Sequence, residues 1–281
     1  MEIRSVKYRI GKNYGFKALV MIFAFACVIP LLFILFFIVS KGITQINWHF
    51  LTKVPKPVGE PGGGIANALV GSILIVVIAA VIAIPIGILG GIYLSENRKG
   101  RLPYWSRICT DVLQGVPSIV IGIVAYFWIV KPFGFSALSG SIALAIMMLP
   151  IVVRSTEETL KLLPSSLQEA GFALGMPFHR VIFKIIIPVG TSGILSGVML
   201  AVARISGETA PLLFTALGNN YLSWNIFGTM HSLPKLIYDY STSAYDEWKN
   251  LAWGASFVLL LWVLLLNLLT KLITRKWKVQ L

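Results

Sequence analysis

Cysteine is nearly absent. The 281 residues hold two, Cys27 and Cys109, with no CxxC spacing and no disulfide framework. Histidine is as scarce: His49, His179 and His231 lie far apart in the chain, form no metal-ligand motif, and read as polar surface residues. No HExxH occurs and no nucleophile–base arrangement stands out, which argues against an intramembrane enzyme. A GxxxxGK[ST] phosphate loop is missing too, so the chain does not bind and hydrolyse ATP by that route. Acidic residues are few, 11 against 24 Lys and Arg, for a net charge of +13. Such an excess would suit nucleic acid, but the cations gather at the ends of apolar segments. No basic stripe interleaves with exposed aromatics, and nucleic acid is set aside as a partner.

What the chain has in quantity is apolar sequence, 57% of its residues, with a mean hydropathy of +0.82. A helix needs roughly 20 apolar residues to cross about 30 Å of hydrocarbon, and inside lipid it satisfies its own backbone. The expectation is an all-α, polytopic membrane protein with six transmembrane helices in one domain, 18–273, surrounded by membrane lipid.

A basic N-terminal segment, 1–17, precedes a first apolar run, 18–40. At about 23 residues that run exceeds the roughly 7–15 of a signal-peptide core, so it reads as a retained span. A Pro/Gly-rich linker, 41–65, contains Gly62-Gly63-Gly64 and interrupts any helix. The second span, 66–94, carries Gly87 and Gly91 at a spacing that lets helices approach closely. A basic loop, 95–110, leads to a third span, 112–130, and a short turn, 131–135, to a fourth, 136–153. A polar loop, 154–184, separates it from a fifth span beginning near Pro188 and running towards Leu217, with Gly193 and Gly197 again at close-packing spacing. An aromatic-rich loop, 218–250, and a sixth span, 251–273, complete the chain before a basic tail, 274–281.

With the N-terminus in the cytoplasm, six spans return the C-terminus there. Seventeen of the 24 Lys and Arg then face the cytoplasm and six face outward, as the positive-inside rule requires. This topology makes 154–184 cytoplasmic and 41–65 and 218–250 external.

The cytoplasmic loop organises the rest. Pro164 should break it into short helices, Ser166 and Glu169 stand as in a capping box, Gly171 and Gly175 permit close approach or a left-handed turn, and Pro177 suits the start of the next element. The product is a small rigid knob. Its continuation, EAGFALGMPFHRVIFKIIIP at 169–188, resembles the coupling loop of ABC-importer permeases. That pattern is EAA, three residues, Gly, nine residues, Ile, any residue, Leu-Pro. Glu169, Ala170, Gly175, Ile185 and Pro188 match, while Gly171 replaces Ala and Ile187 replaces Leu. The resemblance implies the type I ABC-importer permease architecture and a peripheral ATPase dimer gripping this loop. Glu169 would be its polar contact and Gly175 the turn that sets its angle. ATP and Mg would be bound by that partner, with no cofactor and no metal in this chain.

Arg204 and Glu208, at i and i+4, share one helix face in the fifth span. Charges inside a membrane segment are costly, by ~2.5–3.5 kcal/mol on insertion scales, and usually face a polar pathway. A planar, permanently charged guanidinium suits an oxyanion, and Pro211 should free backbone groups near Gly207. An Arg–Glu pair that only joins helix segments, or sits at the outer end of the span, stays open. The segment 206–216, SGETAPLLFTA, is similar to the PstA-type permeases of phosphate-specific (Pst) importers, as are Gly115-Val116-Pro117-Ser118-Ile119-Val120 and Gly62-Gly63-Gly64-Ile65. This resemblance implies phosphate translocation past Arg204 and Glu208, with Thr209 beside them. It also implies three kinds of protein partner: a PstC-like permease, two copies of a PstB-like ATPase, and an extracytoplasmic phosphate-binding protein. The competing readings are an importer for another oxyanion or small solute, and a passive anion channel.

Overall fold

The computed structural model describes residues 6–57, 60 and 62–276. Residues 1–5 of the expected basic N-terminus, Val58, Gly59 and Pro61 of the linker, and the tail from 277 onward lie outside the described residues. Among the described residues the regular structure is helical, with one isolated bridge between Leu217 and Met230.

Five helices are long and apolar enough to cross a membrane. They are α1, Val6–Gly42; α3, Ala66–Glu96; α6, Ala137–Lys161; α8, Phe178–Ser206; and α11, Asp246–Lys276. Short helices join them: α2, Trp48–Thr52; α4, Arg101–Gly115; α5, Ser118–Phe133; α7, Ser165–Ala173; α9, Ala210–Thr215; and α10, Leu233–Ser241.

The expected third span is not one straight helix. Val116 and Pro117 adopt extended backbone (ψ 129° and 136°), as the residue before a proline prefers, and α4 and α5 meet there at 105°. A sixth crossing exists only if this bent pair is counted as one. The stretch expected as a basic loop, 95–110, is therefore largely the helix α4, whose Leu102, Tyr104 and Trp105 are exposed beside its cations.

The main core lies where α3, α6 and α8 meet. Ile75, Ala79 and Ala83 pack with Leu144, Met148, Val152, Val198 and Ile205. Glycine makes this contact close. A Cβ on Gly87 would sit 2.7 Å from Val152, one on Gly91 would lie 2.7 Å from the Val153 carbonyl, and Gly193 and Gly197 press against Thr159 and Ser155. Both small-residue spacings read from the sequence therefore sit at helix–helix contacts. A second, smaller core joins α2, α10 and α11 through Phe50, Ile65, Leu236 and Ala255, with Tyr240 stacked on Trp248 at 4.7 Å. The two connections expected as loops, 41–65 and 218–250, thus contain helices and pack. His231, expected at the surface, is buried, as is Lys235.

Candidate coupling and translocation sites

The segment 162–177 begins where α6 ends and Pro164 turns extended, so α7 starts as a separate helix. The expected capping box does not form: Pro164 occupies the N-cap and no side chain caps the helix, because Ser166 already lies within it. At the far end the sequence expectation holds. Gly175 has φ +71°, its N–H donates to the Phe172 carbonyl (2.9 Å) and the Met176 N–H to the Gly171 carbonyl (3.2 Å). This is the Schellman arrangement, which closes the orphan carbonyls of a helix end. Gly171 is buried, and a Cβ there would sit 2.9 Å from both Val181 and Ile185. Glu169 and Ala170 are exposed. A short helix is thereby clamped at its glycine face and presents a carboxylate outward. Pro188 takes no part in this knob. It lies a full ten residues into α8, beyond a π-helical turn at Ile182–Ile186.

The fifth span differs from expectation at both ends. It begins at Phe178 rather than near Pro188, and stops at Ser206 rather than running towards Leu217. Gly207, Glu208 and Thr209 form the break, and Pro211 falls in the first turn of α9, where a missing N–H does no harm. Arg204 consequently sits in the last turn of α8, not at its middle. Its Nε lies 3.7 Å from Glu208 Oε1; the Arg204 side chain is 54% exposed and that of Glu208 18%. Thr209 is half-buried beside them, its carbonyl accepting from Leu212 and Leu213 N–H. Arg204, Glu208 and Thr209 are brought together; of the residues expected to couple to an ATPase, Glu169, Ala170, Gly171 and Gly175 lie on or at the end of α7, and Pro188 does not.

Sequence reasoning missed one further cluster. Glu157, fully buried, is met by Arg107 Nε at 2.6 Å, Lys161 Nζ at 2.5 Å and Arg154 Nη1 at 3.3 Å. The i, i+4 spacing of Glu157 and Lys161 was visible, but nothing in the chain announces a partner fifty residues earlier. No group of three or more His, Cys, Asp or Glu among the described residues is placed to hold a metal ion.

A bundle of apolar helices with a clamped, outward-facing helix and a charged pair at a broken span is a membrane transport subunit by class. The family model described as "Binding-protein-dependent transport system inner membrane component" matches residues 83–279. The protein called phosphate transport system permease protein PstA in Yersinia pestis is 46% identical over 250 residues, 88% of this chain and 85% of its own. The PstA of Haemophilus influenzae is 45% identical over 244 residues, 86% of each. Among solved structures, an inward-facing MetNI methionine ABC transporter covers 76% of this chain and 96% of its own at a TM-score of 0.63 and 16% identity, a likeness of fold. The chain belongs to the binding-protein-dependent inner-membrane transport components, and within them to the PstA-type permeases. It is accordingly a multi-pass membrane protein of type I importer fold and a transport subunit of an ABC transporter complex with permease and ATPase partners.

Proposed function

We propose that this chain forms half of the translocation pathway of an ATP-driven inorganic phosphate importer. The other half is a PstC-like permease; two PstB-like ATPases bind ATP and Mg and supply the energy, and an extracytoplasmic phosphate-binding protein delivers the substrate. Both termini and α7 face the cytoplasm in this reading, which the distribution of Lys and Arg supports. Glu169 and Ala170 then meet the ATPase, and Gly171 and Gly175 hold the angle of α7.

The observation that carries the substrate is Arg204: a half-exposed guanidinium closing a 29-residue apolar helix, held only loosely by Glu208. A guanidinium offers phosphate two parallel hydrogen bonds. Glu208, 3.7 Å away, competes for it and keeps the anion's residence short, as conduction requires. The break at 207–209 sets Thr209 alongside. Arg204→Gln is expected to abolish ATP-driven phosphate uptake while the ATPase still copurifies with the permeases. Normal uptake by that variant would contradict the assignment.

A further inference from the structure

We propose that Arg107 is a positioning residue that makes α4 and α5 follow the coupling helix, so that movement at the ATPase dock reaches the break beside Arg204. The proposal rests on the reading of α7 as that dock.

A chain of contacts connects the two sites. From α7, Gln168 Nε2 donates to Glu96 Oε1 (2.8 Å), the last residue of α3. At that same helix end Arg107, which belongs to α4, spends its guanidinium on three carbonyls. Nη2 donates to Leu94 O (2.6 Å) and Asn97 O (3.1 Å), and Nη1 to Arg98 O (3.4 Å). Cations are favoured at a helix C-terminus, where carbonyls lack partners. Nε meets the buried Glu157 of α6. One side chain thus locks α4 to the ends of α3 and α6, and α3 is held in turn by the coupling helix. The other end of α4 is stapled to α6 by Gln114 Nε2, which donates to the Pro150 carbonyl (3.2 Å).

Beyond the 105° bend, α5 carries the motion onward. A Cβ on Gly122 would sit 2.9 Å from Pro211 Cα and 3.3 Å from the Ala210 carbonyl, so α5 and the start of α9 are in backbone contact. Pro211 lies three residues from Glu208. Packed contacts of this kind move as bodies rather than deforming continuously. Glu157 keeps two other cations, Lys161 and Arg154, when Arg107 is lost. The carboxylate therefore stays paired, and pairing alone does not account for the placement of Arg107. What Arg107 adds is a side-chain join from the body of α4 to the end of α3, and a lysine, with one ammonium, cannot hold both the carboxylate and three carbonyls.

The test uses the complete complex in liposomes, with Cys27 and Cys109 changed to Ser and spin labels at Tyr104→Cys on α4 and Ser166→Cys on α7, both exposed positions. Pulsed electron resonance then gives the distance from α4 to the coupling segment with and without trapped ATP. In the otherwise unaltered complex that distance is expected to stay constant; in Arg107→Gln and Arg107→Lys it should change with nucleotide. Phosphate moved per ATP hydrolysed should fall by roughly tenfold in both variants, within the usual range of coupling energies, while ATP hydrolysis continues. Should Arg107→Gln fail to assemble, Arg107→Lys decides. A constant 104–166 distance in Arg107→Lys, an unchanged ratio there, or a distance that already varies in the parent complex would overturn the proposal. If the parent hydrolyses ATP without accumulating phosphate, the substrate reading fails instead, and the distance measurement still decides the role of Arg107.

Discussion

Burial sets the chemistry of His231. Its imidazole is pushed down to about 4, first by loss of water and then by the neighbouring Lys235 ammonium, against the opposing pull of Asp239. Lys235 Nζ reaches Asp239 Oδ2 at 2.5 Å and His231 Nε2 lies 3.7 Å from the same oxygen. The folded form therefore resists a proton that the unfolded form accepts at its ordinary value of 6.5. Above that pH both forms are neutral and His231 contributes nothing. As pH falls towards 4 the unfolded form gains the proton alone, and stability drops by up to about 3 kcal/mol. Amide exchange through 230–241, corrected for its intrinsic pH dependence, should accelerate between pH 7 and pH 5 and do so far less in His231→Gln. Nothing in the sequence separated this histidine from His49 or His179. The difference is tertiary: Gly71 lets the His231 carbonyl press onto α3, and Gly218 lies against Lys235 and the imidazole. Arg204 was legible because a lone charge in an apolar run is conspicuous, whereas Arg107 sat among other cations and looked like one more topological charge.

At the scale of elements, α7, the proposed coupling helix, depends on two glycines for different reasons. Gly175 supplies a left-handed turn, and a side chain there costs about 1–2 kcal/mol. Gly171 supplies space, and Gly171→Leu would drive into Val181 and Ile185 at a cost of typically 1–3 kcal/mol. Gly171→Leu is expected to leave the chain in the membrane but weaken ATPase copurification several-fold; full copurification would show that the clamp does not matter. The Pro164 break and the Gly175 turn were readable because proline and glycine act locally. The capping box failed because the same local signal was pre-empted by Pro164, one residue ahead of Ser165. The α4–α5 bend was written in Gly115-Val116-Pro117, yet the apolar run continues across it, and hydropathy has no direction. The end of α8 was misplaced similarly: apolar residues of α9 extended the run past a break that Gly207 and Pro211 were already marking.

For the whole molecule, the apolar content demanded helices in lipid, and the fold meets that demand with an unusual distribution of burial. Helix α1 is exposed from Tyr8 through Val39 almost throughout and joins the bundle at Gly42, which abuts Trp253 and Phe257 of α11. In water such a surface would aggregate; against lipid tails it carries no such penalty. In the proposed function the wide apolar exterior, α7 and the charged break after α8 would be three surfaces of one device, facing lipid, ATPase and substrate. The claim that joins them is phosphate import driven from α7. It is tested most directly by uptake of labelled phosphate in cells lacking this chain, restored with it or left without it, under excess sulfate or molybdate. Uptake that appears only with the chain, and that resists both competitors, is the predicted result. Phosphate uptake that is the same with and without the chain would contradict the account.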